Sequence, residues 1–194
     1  MKKFFLVLLL AGGNLLSFGQ VKYGAKAGLN LSNVAGDVEG NKMKLGIHFG
    51  GFADVAFAEQ FSFHPELVFS TQGAKSDWEY EGVSGKSTIN LTYINLPLLA
   101  QYNHESGFFA HTGPQLGFLL SAKAKSDGEK EDLKDGYKTF DFAWAFGAGY
   151  VTKSNIGFNA RFNLGLSNLG KESGDYKVKN SVIQIGAFYI LGSK

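Results

Sequence analysis

Strict alternation of apolar and polar residues marks residues 156–166, IGFNARFNLGL. Even-numbered positions carry Ile, Phe, Ala or Leu, and odd-numbered positions carry Gly, Asn or Arg. Because successive side chains of a β-strand point to opposite faces, this period of two predicts a strand with one apolar and one polar face. The segment is also long enough to match the roughly 9 to 11 residues that a tilted strand needs to cross a membrane.

The same alternation recurs about eight times after residue 20, where no convincing helical period is found. The chain has 26 glycines and 18 phenylalanines against 3 prolines, a composition that suits curved strands with lipid-facing rings. Its net charge of +2 gives no support for a nucleic-acid-binding face, and the absence of cysteine excludes disulfides and thiolate metal sites. The sequence predicts an all-β, eight-stranded antiparallel up-and-down transmembrane β-barrel.

The connections between the predicted strands alternate strictly between long and short. Short connections lie at 58–60, 103–107 and 152–155, and long polar ones at 32–43, 73–86, 123–136 and 170–177. Outer-membrane barrels have short periplasmic turns and longer extracellular loops, whereas a soluble sandwich has no reason to sort its loops by end. A soluble barrel would also need an apolar interior, but here the charges share a face with the glycines. We therefore expect lipid to contact the apolar face.

The N-terminus has the order of features that is typical of a secretory signal peptide. Lys2 and Lys3 precede an apolar run, and small residues follow at Ser17 and Gly19. A membrane helix is the competing interpretation, but Gly-Gly-Asn at 12–14 interrupts the run of about 20 apolar residues that a helix needs. We expect a signal peptide at residues 1–19 and an outer-membrane barrel domain at residues 20–194.

Five short strings lie in order along the chain: AGLN at 27–30, PEL at 65–67, YINLP at 93–97, GPQLG at 113–117 and GFNAR at 157–161. Together they resemble the PorT-like outer-membrane β-barrel family of Bacteroidota. The resemblance implies an eight-stranded barrel in the bacterial outer membrane. The family is named after a component linked to a secretion machinery. The end of the chain departs from the family pattern, because Leu191 stands where the last strand usually has an aromatic residue.

A barrel of eight strands has an interior only wide enough for its own side chains. Counting from the strand ends places five ionisable residues at one mid-barrel level: Lys26, Glu66, His111, Asp141 and Arg161. Because isolated buried ions are very costly, these residues predict a salt-bridge network that plugs the lumen. A narrow gated conductance or a proton path through the same residues is the alternative.

Histidines and serines on the polar faces are candidate metal ligands or catalytic groups. His48, His64 and His111 lack the short ligand spacing of common metal motifs, so we expect hydrogen-bonded lumen histidines, no metal and no cofactor. A catalytic constellation would need His48 to approach Ser70 or Ser121, but no nucleophile-elbow motif supports it. The sequence predicts a protein that is not an enzyme, with a lipid-modifying enzyme as a weaker alternative.

The predicted outer loops carry aromatic residues among charged neighbours, namely Trp78, Tyr80 and Tyr176. Exposed aromatics in polar loops can anchor a protein partner, although they also pack on their own loop or at lipid headgroups. The leading hypothesis is a surface protein that binds a partner through these loops or supports an envelope complex. Outer-membrane lipid is the other expected partner, and nucleic acid is not expected.

Overall fold

The computed structural model describes residues 21–36, 41–80, 83–126, 129–171 and 178–193, so the predicted signal peptide lies outside the described residues. A short 3₁₀ turn at Lys134–Gly136 accompanies the strands. The strands are β1 (Val21–Gly36), β2 (Asn41–Ala56), β3 (Phe61–Tyr80), β4 (Val83–Asn103), β5 (Phe108–Ser126), β6 (Glu129–Asp132), β7 (Phe140–Val151), β8 (Ile156–Gly165) and β9 (Val178–Ser193).

Eight of these strands close into a barrel. Each is antiparallel to its neighbours in the order β1, β2, β3, β4, β5, β7, β8, β9, and β9 pairs back onto β1. The short strand β6 pairs only with the end of β5, at Lys123–Ser126. Closure leaves the ring without a free edge. This matters in a bilayer because unpaired backbone groups there have no water to form hydrogen bonds with. The predicted eight-stranded, up-and-down antiparallel fold is confirmed.

The strands are staggered by ten residues around the ring. Register pairs followed from Lys26 through β2, β3, β4 and β5 lead to Asp141 on β7. Register pairs followed the other way, through β9 and β8, lead to Val151 on the same strand. Such a stagger accompanies the strand tilt of about 35 to 45° that closed barrels require. Residues paired in register therefore lie at different heights along the barrel axis.

The two faces of the wall have opposite chemistry. On β8, Phe158 on the outer face is 57% exposed, whereas Arg161 on the inner face is 3% exposed. The outer face of the other strands is likewise covered by large apolar side chains, for example Ile47, Phe49, Leu67, Phe118, Phe146 and Ile185. Within the described part of the chain no helix is long and apolar enough to cross a membrane. The predicted sidedness of the strands is confirmed.

The long connections differ from the expectation. Residues 73–86 are predicted to be a loop, but β3 and β4 continue through 73–80 and 83–86 and pair with each other there. Extensions of β1 and β2 likewise enter 32–43, and residues 123–136 contain the end of β5, β6 and the 3₁₀ turn. Polar strands above a bilayer can pair through their backbones without an apolar face, so hydropathy does not reveal them. We call the end of the barrel that carries these strand extensions the long-loop end. The opposite end, with turns at 57–60, 104–107 and 152–155, is the short-turn end.

Candidate functional site

A cluster of ion pairs lies in the middle of the lumen. Arg161 on β8 donates from both terminal nitrogens to Glu66 on β3, with Nη1–Oε2 at 2.9 Å and Nη2–Oε1 at 2.6 Å. Lys26 on β1 donates to both oxygens of the same carboxylate, at 2.9 and 3.1 Å. The Nε of Arg161 donates to Nε2 of His111 on β5 at 3.0 Å. We call these four residues the central cluster.

Four of the five residues predicted for the lumen network thus lie in contact, and each is at most 6% exposed. A carboxylate that binds two cations through charge-assisted bonds, one of them bidentate, is held more firmly than a single pair would hold it. The arrangement also satisfies the rule that buried charges are paired. The central cluster connects strands that are far apart around the ring.

Two further residues extend the central cluster towards the short-turn end. His64 places Nε2 at 3.3 Å from Glu66 Oε1 and Nδ1 at 3.0 Å from Asp54 Oδ2. That oxygen of Asp54 also accepts hydrogen bonds from Ser62 Oγ and Gln101 Nε2, both at 3.0 Å. The sequence indicated that His64 faces the lumen but not that it joins this network. The spacing in the sequence indicates this contact, because His64 and Glu66 are two residues apart on one strand and so share a face.

Asp141 does not belong to the central cluster, and its predicted place there is wrong. It accepts a hydrogen bond from the hydroxyl of Ser167 instead. On β7, the residue that pairs with both His111 and Arg161 is Gly147, six positions nearer the short-turn end. At about 3.3 Å per residue, Asp141 is roughly 20 Å along the strand from the level of the cluster. Counting from strand ends failed because the strands are staggered.

The position of His111 depends on the absence of a side chain at Gly147. A Cβ built on Gly147 would lie 2.3 Å from His111 Nε2 and 2.9 Å from the carbonyl oxygen of Ala160. Glycine at this position therefore lets the imidazole lie against the barrel wall and accept the bond from Arg161. This is one structural reason for glycine on the lumen face.

Above the central cluster, towards the long-loop end, lies a layer of neutral polar side chains. Asn30 contacts His48 Nδ1 at 2.8 Å through its Oδ1 and donates to Ser70 Oγ at 2.9 Å through its Nδ2. Gln72 and Gln184 continue the layer through Ser70 and Asn30. His48 and Ser70 are partners in register, yet no acidic side chain in the described ranges bonds to either. A Ser-His-acid constellation is therefore not assembled at this place.

An apolar group closes the lumen at the long-loop end. It consists of Val34, Ala74, Leu91, Tyr93, Leu119, Ala122 and Leu169, all at most 3% exposed, and we call it the apolar plug. Leu133 and Tyr137, from the connection between β6 and β7, pack against it. The sequence pattern does not reveal the plug, because apolar residues of a membrane strand are expected on the lipid-facing side.

A cavity of about 360 Å³ occupies the lumen at the short-turn end. Lys26, Glu66 and Arg161 lie among its lining residues, and so do the three aromatic rings of Phe52, Phe109 and Phe188. Phe188 makes edge contacts with the other two rings, at centroid distances of 5.5 and 5.8 Å. Side chains therefore occupy the lumen at its middle and at its long-loop end, whereas this part contains a cavity.

The alternation of the strands does not predict the three inward rings, but the glycines opposite them are a sequence signal. Each ring lies opposite a glycine on the neighbouring strand: Phe52 opposite Gly24, Phe109 opposite Gly149, and Phe188 opposite Gly157. A Cβ on Gly157 would lie 2.1 Å from the ring of Phe188. An aromatic residue covering a glycine across the strands is a known way to fill the space beside a bare backbone.

The remaining predicted site residues lie elsewhere. Trp78 and Tyr80 belong to the outer end of β3, where their backbones pair with Gly85 and Val83, and Tyr176 lies outside the described residues. Across the described ranges, no group of three or more His, Asp or Glu side chains is arranged to hold a metal ion. His48, His64 and His111 are instead hydrogen-bonded lumen residues.

A closed ring of eight tilted strands with an apolar outside and a polar, ion-paired inside defines a small outer-membrane β-barrel protein. The chain belongs to the outer membrane protein beta-barrel domain family, which matches residues 15–170. The bacterial outer membrane is therefore its location. No match was found among curated proteins.

Solved structures of outer-membrane proteins resemble this chain to different degrees. Neisserial surface protein A superposes with a TM-score of 0.55 at 11% identity, over 86% of this chain and 96% of that one. Ail, the attachment invasion locus protein of Yersinia pestis, gives 0.46 at 17% identity, over 90% and 99%. OprG of Pseudomonas aeruginosa gives 0.45 at 16% identity, over 90% and 97%. At 11% identity the likeness to Neisserial surface protein A extends to the fold alone.

Proposed function

We propose that this protein is a non-enzymatic outer-membrane barrel with a closed lumen, which acts through its surface at the long-loop end. There it binds a protein partner or supports an envelope complex. The observation that supports this proposal is the series of barriers in the lumen: the central cluster, then the neutral polar layer, then the apolar plug. The narrower PorT-like assignment and the signal peptide at residues 1–19 form part of the same proposal.

The barriers act in series on any ion that would cross. The ion would first have to separate Glu66 from Lys26 and Arg161, whose side chains are between 1 and 4% exposed. It would then have to pass the apolar plug, where the hydroxyl of Tyr93 stands among apolar side chains and most of the cost of desolvation is not compensated. A closed barrel leaves its surface as the place where a partner can be recognised.

The surface at the long-loop end offers an area for such a partner. The hairpin of β3 and β4 and the hairpin of β5 and β6 both continue beyond the apolar belt. Their exposed side chains are charged, as at Lys75, Asp77, Lys86, Lys123 and Lys125. Trp78, Tyr80 and Tyr176 remain the candidate anchors, because aromatic residues contribute strongly to protein interfaces.

Planar-bilayer recording tests the closed lumen. We expect the purified barrel to insert without steady conductance. The runner-up, a narrow gated conductance, is supported by the cavity that reaches the central cluster from the short-turn end. Reproducible conductance that is lost in Arg161→Ala would support that alternative and overturn the closed-lumen proposal.

Cross-linking in intact cells tests the partner surface. A double variant, Trp78→Ala with Tyr80→Ala, is expected to lose a cross-linked partner that the unaltered protein retains. Tyr23→Ala, an aromatic truncation at the short-turn end, is the matched control and should keep it. Equal cross-linking in all three proteins would contradict the assignment of these aromatic residues.

The weaker alternative, a lipid-modifying enzyme, predicts a changed lipid profile in a deletion strain. We expect the lipid profile to stay unchanged.

A further inference from the structure

The cavity at the short-turn end has the build of a ligand site. Its volume of about 360 Å³ lies within the roughly 300 to 1,000 Å³ typical of small-molecule pockets. Such pockets combine apolar and aromatic walls with a few polar groups that fix the orientation of the ligand. Here Phe52, Phe109 and Phe188 supply the aromatic surface, and the central cluster supplies the polar groups.

The charged groups of the cavity carry an excess of positive charge. Lys26 and Arg161 share the single carboxylate of Glu66. His64 turns both ring nitrogens towards carboxylate oxygens, those of Asp54 and Glu66, and both can donate only in the imidazolium form. Three cations then face two carboxylates.

The other titratable groups around the cavity do not cancel this excess. His111 accepts the bond from Arg161 through Nε2, so it is present there as the neutral imidazole. At the mouth of the cavity, Lys22 and Glu59 are both exposed, and their opposite charges add up to zero. His104 forms a hydrogen bond with Ser106 in the turn. An uncompensated cation inside a barrel is costly, and a bound anion would remove that cost.

Lys26 and Arg161 also keep donors for such an anion. Lys26 has three N–H groups and gives two bonds to Glu66. Arg161 has five and uses three, two with Glu66 and one with His111. Both residues line the cavity. A carboxylate is a suitable acceptor for these remaining donors, through charge-assisted hydrogen bonds.

We propose that this cavity binds an organic carboxylate with an apolar or aromatic body, which enters from the short-turn end. Its carboxylate contacts Lys26 and Arg161, and its body lies among Phe52, Phe109 and Phe188. In an outer-membrane barrel the short turns face the periplasm, so the ligand comes from that side. The inference does not depend on partner binding at the long-loop end, and either can fail alone.

A fluorine NMR titration of the full barrel in lipid nanodiscs tests the proposal. The two probes are 4-(trifluoromethyl)benzoate and its neutral counterpart 4-(trifluoromethyl)benzamide, with empty nanodiscs as the partition background. We expect saturable binding of the benzoate, about tenfold tighter than that of the amide, because only the benzoate forms charge-assisted bonds. Equal affinities, or no saturable binding of the benzoate, would overturn the proposal.

Substitutions locate the site. Lys26→Met should weaken benzoate binding by about tenfold and leave the amide unchanged. Lys42→Met, the same substitution at the long-loop end, should change neither probe. Phe109→Leu keeps every charge and should weaken both probes alike, which provides a test even if Lys26→Met does not fold. Unchanged benzoate binding in folded Lys26→Met, or in Phe109→Leu, would contradict the site.

Discussion

Glu66 is the residue on which the central cluster depends, because its two oxygens bind Lys26, Arg161 and His64. Replacing it by glutamine would leave two buried cations without a carboxylate. Removing one partner of a buried ion pair typically costs about 3 to 5 kcal/mol, so we expect Glu66→Gln to lower the free energy of unfolding by that amount. Urea titration in lipid bilayers, followed by the fluorescence of Trp144, measures the change.

Asp77→Asn is the matched control for that experiment. Asp77 pairs with Lys42 at 2.5 Å, but both side chains are exposed, at 47 and 65%. Solvent screens such a pair, and its contribution to stability is small. If both variants lost the same stability, the central cluster would be no more important to folding than a surface ion pair.

The Lys42–Asp77 pair, which lies outside the membrane, is expected to depend on pH. The hydrogen bond from Lys42 is the largest cause that holds the pKa of Asp77 below its ordinary value, with the charges of Lys42 and Lys86 acting in the same direction. Because the pKa is lowered in the folded state, the pair is intact above the unfolded pKa and is lost as pH falls through the folded one. Carboxyl ¹³C NMR should show the pKa of Asp77 rising in Lys42→Met, and an unchanged titration would contradict the contact.

At the scale of single elements, two substitutions on strand β7 test whether lipid contacts the outer face. Phe146 is 51% exposed at the middle of the strand, and Tyr150 is 49% exposed near the short-turn end. An arginine on the lipid face costs about 2 to 4 kcal/mol at the bilayer midplane and about 0 to 1 near the interface. Phe146→Arg should therefore lower the free energy of unfolding in bilayers much more than Tyr150→Arg does. In water the depth of the position would not matter, so equal effects would argue against a bilayer.

The elements also show where sequence patterns carry less information. Leu91, Tyr93 and Leu119 are apolar, yet they face the lumen and form the apolar plug. Period-two alternation identifies the two faces of a strand. Near a strand end it does not determine whether an isolated apolar residue points to the lumen or to the outside. The register of β4 and β5 shifts by one residue at this level, because Thr92 pairs with Ser121 and Tyr93 with Leu119. Such local changes in register follow from pairing and are not visible in either strand alone.

For the whole molecule, closure of the ring predicts resistance to detergent. Within the described ranges each strand of the ring pairs with a neighbour on both sides, so removing any one strand breaks two ladders. We expect the unboiled barrel to migrate differently from the boiled one on an SDS gel. A sample unfolded in urea and left unboiled is the control and should migrate like the boiled protein. Identical migration in all samples, together with solubility in the absence of detergent, would overturn the membrane assignment.

The sequence by itself determined the strands, their faces and their arrangement into two unequal ends. Alternation has a period of two whatever the strand packs against, so Phe158 outside and Arg161 inside follow from residues 156–166 alone. The same pattern placed Lys26, Glu66, His111 and Arg161 in the lumen, and the cost of unpaired buried charge predicted that they meet.

Only the tertiary structure decided how high each lumen residue lies and how the lumen is filled. The stagger of ten residues is fixed when the last strand pairs with the first, and it separated Asp141 from the central cluster. It also placed three inward phenylalanines around a cavity and a set of apolar residues from several strands and loops at the opposite end. These heights result from pairing around the whole ring, so no single segment of sequence contains them.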